Sequence, residues 1–317
     1  MEYRRLGNAG IKLSALGLGG WTTFGESVTD LERAQRIIQA AYEGGINFFD
    51  IADAYARGRA EEVMGEILAA YPRHTLVIST KAYWPMSDDI NDRGLSRKHL
   101  TESIHKSLKR IGTDYVDIYF CHRHDPDTPV EEVVRTMDDL IHQGKVLYWG
   151  TSEWPAARIA EAVGIAKQYG LNAPRVEQPQ YNLLVRNRVE QQVLPVAKEF
   201  GIGLTTFSPL ATGVLTGKYD QGIPEDSRFA RMDGLREHWM RDEVLERVRG
   251  LKAVADDLGI TRAQLALAWL LHRDGVSSVI TGATKVAHVE DNLGALDVSL
   301  TPELLARIDE IVEGAVS

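Results

Sequence analysis

One cysteine, Cys121, stands among 317 residues. That excludes an internal disulfide and fits a reducing compartment. No apolar stretch is long enough to span a bilayer, and the amino terminus, MEYRRLGNAGIKL, lacks the apolar run of a secretory leader. An excess of positive charge is also missing: 45 acidic side chains outnumber 36 Lys and Arg, leaving a formal net charge of −9. Such a surface argues against nucleic acid and anionic membranes as general partners, while leaving room for a local basic pocket. The hydrophobic share, 44%, against 26% charged, is too high for disorder and sufficient for a full core. The expectation is a cytoplasmic protein with no membrane insertion and one domain over 1–317.

Two catalytic signatures are missing as well. A dinucleotide fingerprint needs G-x-G-x-x-G in the first strand-to-helix turn. Residues 16–20 read LGLGG instead and run into the aromatic segment WTTFG, with the next helix start only near Thr29. An open doubly wound sheet is therefore the weaker of the two α/β readings. No Ser–His–Asp set or metal cage is evident. His122 and His124 form an H-x-H pair of the kind some barrel hydrolases use, but the other histidines fall mostly in helical or lid segments.

What is present is alternation. Short β-branched or aromatic runs occur at 15–19, 46–50, 76–80, 115–120, 145–151, 174–178, 203–207 and 277–281, each followed by a longer helical segment. Eight strand–helix repeats predict a parallel sheet closed into a (β/α)8 barrel. Thr29 with Glu32, Thr128 with Glu131 and Thr261 with Gln264 read as capping boxes, with Pro129 at a first helical position. A helix is expected from Ser96 to Gly112, and an apolar stripe from Val130 to Ile141 predicts another, ending at Gly144. Residues 3–6 and 11–13 flank Gly7-Asn8-Ala9-Gly10 and predict a hairpin at the bottom of the barrel. Residues 208–241 show no convincing period and are read as a lid over its mouth. A last helix, 302–312, is an addition to the repeat.

Active sites of such barrels lie at the carboxyl ends of the strands. Those ends carry Asp50, Lys81, His122, Ser152, Gln178, Ser208 and Gly282, with Tyr55 in the loop after Asp50. A tyrosine is a weak acid, with an ordinary pKa of ~10. A nearby ammonium, Lys81, is expected to lower that value, Asp50 to hold the ammonium, and His122 to orient a carbonyl oxygen. Such a group protonates a developing alkoxide. The electron source is external, and a nicotinamide supplies hydride.

The segments FFDIADAYARGRAEEVMG, STKAYW, and DYVDIYFCHRHDPDTPVEEVVRTMDDLIHQGKVLYWGTSEW resemble the aldo-keto reductase superfamily, as do FSPLATGVLTGKYD and VITGATKVAHVEDNLGAL. GLSRKHL, YWGTSEW and YDQGIP are similar to the branch of potassium-channel β subunits and their bacterial and plant relatives. The likeness runs from about Tyr3 to the last helix. It implies an NADP(H)-dependent reductase of small carbonyl compounds with Asp50, Tyr55, Lys81 and His122 as its catalytic group. Animal channel subunits carry Asn where this chain has His122, and the histidine implies a working enzyme. The branch also implies a homo-oligomer and, as the alternative function, a nicotinamide-sensing subunit of a membrane protein.

The resemblance implies cofactor contacts too. Ser152 and Gln178 would hold the carboxamide, with Tyr181 near the ring. Ser208, Pro209, Leu210 and Gly213 would line the pyrophosphate, with Lys218 adding charge. Arg228, Thr284 and Lys285 would meet the 2′-phosphate. Asp291 and Asn292 would bind adenine. Gly20, Trp21, Gly282 and His288 complete the set; His288 stands where relatives often carry Arg or Gln. A cation and hydroxyl cluster near a helix start welcomes an anion, which favours NADPH over NADH.

Several residues have plainer readings. Trp21, Trp84 and Trp239 are candidates, with Tyr55, to wall a substrate pocket, while Trp149 and Trp269 pack. Cys121 is a packed thiol. His124 is a loop residue near the mouth. Arg231, Arg236 and Arg241 form a solvated face, and AEEVMGEIL is an exposed acidic helix face.

Overall fold

A computed structural model describes residues 1–231 and 233–313. Two short strands, β1 (Tyr3–Arg5) and β2 (Lys12–Ser14), pair antiparallel with Tyr3 opposite Ser14. Eight more follow: β3 (Leu16–Gly19), β4 (Phe48–Asp50), β5 (Val77–Ala82), β6 (Val116–Cys121), β7 (Val146–Ser152), β8 (Val176–Gln178), β9 (Gly203–Thr206) and β10 (Val276–Thr281). They run parallel in chain order, and β10 closes onto β3 to complete a barrel. All eight match the expected runs to within two residues at each end.

The alternation of side chains along a strand sorts this barrel into layers. Phe48, Val77, Ile118, Phe120, Val176 and Ile280 fill the lower interior, where Leu6, Ala9 and Leu13 of the hairpin join them. The hairpin is a plug: the Asn8 amide donates to the Gly201 carbonyl at 2.8 Å, and a side chain at Gly7 would run into the backbone of residues 201–203. One or two pleats higher, the same inward parity brings Asp50, Lys81, His122, Ser152 and Gln178 to the upper end. Pairing fixes their heights, with Asp50 opposite Ser79, Lys81 opposite Phe120 and Ser152 opposite Gln178. Outward-facing Phe49, Ile78, Tyr119 and Trp149 belong to the larger core between strands and helices.

The helices are α1 (Leu31–Glu43), α2 (Arg59–Leu68), α3 (Arg97–Ile111), α4 (Val130–His142), α5 (Ala156–Tyr169), α6 (Leu194–Phe200), α7 (Arg228–Arg231), α8 (Asp233–Trp239), α9 (Asp242–Leu258), α10 (Arg262–Leu271), α11 (Val286–Gly294) and α12 (Pro302–Val312). Ser96 caps α3, which ends on left-handed Gly112, and Thr261 with Gln264 forms a reciprocal capping box. Two other caps differ from expectation. Asp30, not Thr29, caps α1, because its carboxylate reaches the amides of Glu32 and Arg33. Thr128 does not cap α4: its hydroxyl donates to Asp125 at 2.7 Å, and the helix begins after Pro129.

The lid also differs. Residues 211–216 form a tight turn of 3-10 helix, and α7 and α8 are each two turns or less. Segments that short cannot develop a 3.6-residue apolar stripe. They are held by irregularly spaced anchors instead: Val214, Leu215, Tyr219, Phe229 and Trp239 are buried, and the Tyr219 and Phe229 rings stack at 4.4 Å. Trp239 therefore packs in the core and does not wall the cavity described below. The acidic face of α2 is corrected too. Glu61 is fully buried, accepting hydrogen bonds from Thr80 and Arg110, both at 2.5 Å. Arg236 and Arg241 are exposed, with Arg241 paired to Glu243; the side chain of Arg231 lies outside the described residues. Among the described residues, no helix is long and apolar enough to cross a membrane.

Candidate active site

A cavity of about 850 Å³ opens at the carboxyl ends of the strands, near the upper end of the range for ligand sites. Its inner end is a saturated polar cluster. The Lys81 ammonium donates to Asp50 at 2.6 Å and to the Ile51 carbonyl at 2.7 Å. The other Asp50 oxygen accepts from Ser79 at 2.6 Å and from the Gln178 amide at 3.0 Å. Ser152 in turn donates to the Gln178 carbonyl at 2.9 Å. Lys81 is wholly buried beneath the cavity wall, so it reaches the site through its partners.

Tyr55 lies over this cluster. The Lys81 nitrogen sits 4.8 Å from its ring centre, and the His122 ring meets it edge-on at 5.6 Å. Trp84 flanks His122 at 6.2 Å. A positive φ at Ala56 and Arg57 turns the chain sharply after Tyr55. The non-glycine residues with φ in this region, among those described, are Thr22, Ala56, Arg57, Glu153, Ser208, Ala211 and Thr212. All lie in loops at the upper end of the barrel, where strain of ~1–3 kcal/mol per residue is held by the scaffold below.

The electrostatics correct one expectation. Burial pushes the Tyr55 phenol well above its ordinary range, the Asp50 carboxylate adds to this, and Arg123 opposes it. Lys81 does not lower it on balance, because its charge is matched by Asp50 at hydrogen-bond distance. Burial lowers the Lys81 ammonium itself, with Asp50 pulling it back. Burial, with the charges of Lys81 and Arg123, holds His122 well below the ordinary imidazole range. The site thus presents a neutral phenol and a neutral imidazole to whatever occupies it.

The outer end has a different character. Lys218 and Lys285 are exposed, Arg228 is half-buried, and all three line the cavity with Thr284, His288, Asp291 and Asn292. Arg228 lies 5.5 Å from the Trp21 ring centre. Thr284 offers its amide to His288 at 3.3 Å, at the start of α11. Between the two ends, Ser208, Pro209, Leu210 and Gly213 form the wall. Gly213 has φ of +98°, and a side chain there would come within 2.7 Å of the Lys218 nitrogen. Gly282 lines the wall opposite. A long cleft with polar groups inside, a glycine cradle midway and cations outside fits a dinucleotide.

Most of the expected site residues line this one cavity, Trp21 and Trp84 among them. Gly20 does not. Its amide donates to the Asp50 carbonyl at 2.9 Å, and a side chain there would press on Ile51 and Met64 at 3.0 Å, so it is a packing position. Tyr181 is a second correction. It is buried outside the cavity, its hydroxyl bound to Glu190 at 2.8 Å and its ring edge-on to Trp269. His124 turns away from the mouth to meet Trp154 edge-on at 5.1 Å and lines a separate, smaller cavity, so the H-x-H pair does not converge. Trp149, Trp269 and Cys121 are buried as expected, and burial raises the Cys121 thiol well above its ordinary range.

The sequence reading missed Arg123, Thr22, Thr23 and Phe207, all of which line the cavity. Phe207 shares the inward parity of Thr205 on β9 and was findable. Thr22 was not, because only its φ of 55° aims the loop inward.

Comparison with known proteins places the chain in a family. Residues 15–313 match the Aldo/keto reductase family. The chain belongs to that family. A "Probable voltage-gated potassium channel subunit beta" of Arabidopsis thaliana is 49% identical over 320 residues, covering 99% of this chain and 97% of that protein. A rice protein of the same description is 48% identical over 320 residues, again with 99% and 97% covered. Membership in this family makes the chain similar to oxidoreductases that bind NAD(P)H, on the barrel architecture described above.

Proposed function

We propose that this aldo/keto reductase reduces aldehydes and ketones to alcohols with NADPH, the whole chain acting as one domain. The observation that carries the reading is the meeting of Tyr55, His122 and the Asp50–Lys81 pair at the inner end of a cleft whose outer end is cationic. When bound, the nicotinamide supplies hydride. Ser152 and Gln178 would hold its carboxamide, and Gln178 is itself tied to Asp50. Arg228 and Lys285, with Thr284, would hold the 2′-phosphate, and Lys218 would add charge for the pyrophosphate. Asp291 and Asn292 would hold adenine.

Tyr55 donates its proton to the substrate oxygen as the carbon is reduced. A neutral phenol holds the proton that this step transfers. His122, also neutral, hydrogen-bonds the carbonyl oxygen and fixes its position. Asp50 and Lys81 form a buried ion pair beneath the Tyr55 ring and seat it. Trp21 and Trp84 wall the substrate space. Steady NADPH oxidation with a panel of small aldehydes, repeated with NADH, tests the reading. Sustained turnover that prefers NADPH supports it; binding without turnover contradicts it.

The names of the relatives favour a second reading, a nicotinamide-sensing subunit of a membrane protein. Stoichiometric NADPH binding with no turnover across the panel would point there.

A further inference from the structure

The charges at the inner end of the cavity do not sum to zero. Asp50 and Lys81 cancel, and Tyr55 and His122 are neutral, but Arg123 remains. Its side chain is half-buried and lines the cavity beside His122. One guanidinium nitrogen, Nη1, donates to the His122 carbonyl at 2.5 Å and to Ser152 at 3.4 Å. The guanidinium carbon lies 5.5 Å from the Trp84 ring centre. These contacts hold the group in place, yet none is with a carboxylate. Among the described residues, no acid comes within ion-pair distance of Arg123. Glu26 and Asp226 also line the cavity, but both are exposed on the loop and lid and do not reach it. Nε and Nη2 make no hydrogen bond among the described residues, so one edge of the fork is open. That edge matches the two oxygens of a carboxylate.

We propose that Arg123 is a specificity-determining residue, and that the enzyme's favoured substrates are aldehydes carrying a carboxylate on the far side of the molecule from the reacting carbon. This rests on the reductase reading and names its substrate class. The aldehyde oxygen lies between Tyr55 and His122. The carboxylate binds the open edge of Arg123, against Trp84, and is not changed by the reaction. A guanidinium already anchored by its other nitrogen loses little freedom on binding, so the interaction acts on the difference between charged and uncharged substrates. The competing structural role is that Arg123 merely props His122 and Ser152.

The test compares 4-carboxybenzaldehyde with its methyl ester, which has nearly the same shape and no charge. The kcat/KM ratio of acid to ester is expected to be ~10 or more in the native chain, in line with a charge-assisted bidentate contact. It should collapse toward one in Arg123→Gln and recover partly in Arg123→Lys. A merely propping arginine would lower both rates together and leave the ratio unmoved, which overturns the proposal. So does a native ratio near one. A calorimetric titration of the NADPH-loaded chain with benzoate and with benzamide separates this idea from the reductase reading. If neither aldehyde turns over, the reductase reading fails. Benzoate binding that exceeds benzamide binding and is lost in Arg123→Gln would still uphold the anion site, and equal binding of the two would end it.

Discussion

The two ends of the cavity are built on opposite principles. At the inner end the Asp50 and Lys81 charges are buried and paired within the barrel, Lys81 with Asp50, and Asp50 also with Ser79 and Gln178. At the outer end the cations stand on loops and the lid, exposed or half-exposed. Strand pairing fixes the first set before any ligand arrives. The second set gains its purpose from the ligand. On the proposed function, the difference separates chemistry, which needs fixed geometry, from cofactor selection, which needs charge within reach.

The sharpest way to break this contrast is at Tyr55. Replacing it with Phe removes one oxygen from the inner end and leaves the outer end intact. Carbonyl reduction is expected to fall by ~10³ or more, while NADPH affinity, read by fluorescence quenching, stays within a few-fold. Comparable turnover in the variant would take the acid role away from tyrosine. Next is Lys81→Met, which strands the Asp50 charge in the core. Loss of one partner of a buried pair costs about 3–5 kcal/mol, measurable by urea unfolding. A loss below about 1 kcal/mol would mean that the pair is less buried than its geometry says.

At the outer end, Arg228→Ala should weaken NADPH by ~10-fold or more while changing NADH little, since only the first carries the 2′-phosphate. Equal losses for both would deny it that contact. The smallest effect concerns Asp53, between Asp50 and Tyr55 in the chain. Burial pushes its carboxyl up to about 7, with Glu61 adding and Ser103 and Arg110 opposing. Its folded value therefore exceeds its unfolded one, ~3.9. The stabilisation this gives is complete below the unfolded value and fades as pH rises to about 7. Asn at this position carries no such penalty. The melting temperature of Asp53→Asn relative to the native chain should therefore rise between pH 5 and pH 8, by a few degrees at most. A flat difference would show that Asp53 is already ionised when folded.

The same division decides what the sequence disclosed. Strand parity is written in the order of residues, so the eight strands and the inward set of Asp50, Lys81, His122, Ser152 and Gln178 were legible from it. The hairpin plug was legible from its turn residues. Three-dimensional competition was not. Asp30 took the cap from Thr29 by reaching two amides, and Glu61 went from an assumed solvated face to the core because Arg110 and Thr80 meet it there. The shift of Tyr55 came out upward because burial dominates it and the Asp50 carboxylate adds to it, facts of position and not of composition. Tyr181 followed family position into an expected cofactor contact, but Glu190 and Trp269 hold it outside the cavity. Lid helices of two turns or less leave no period to read.

The most direct test of the account follows one atom. NADPH labelled with deuterium at the transferable position of the nicotinamide is mixed with the chain and excess aldehyde, and the alcohol is weighed by mass spectrometry. Deuterium is expected on the carbinol carbon, in many-fold molar excess over the chain, with labelling slowed ~10³-fold or more in Tyr55→Phe. Labelled alcohol that stops at one equivalent per chain, or persists unchanged in the variant, would contradict the account.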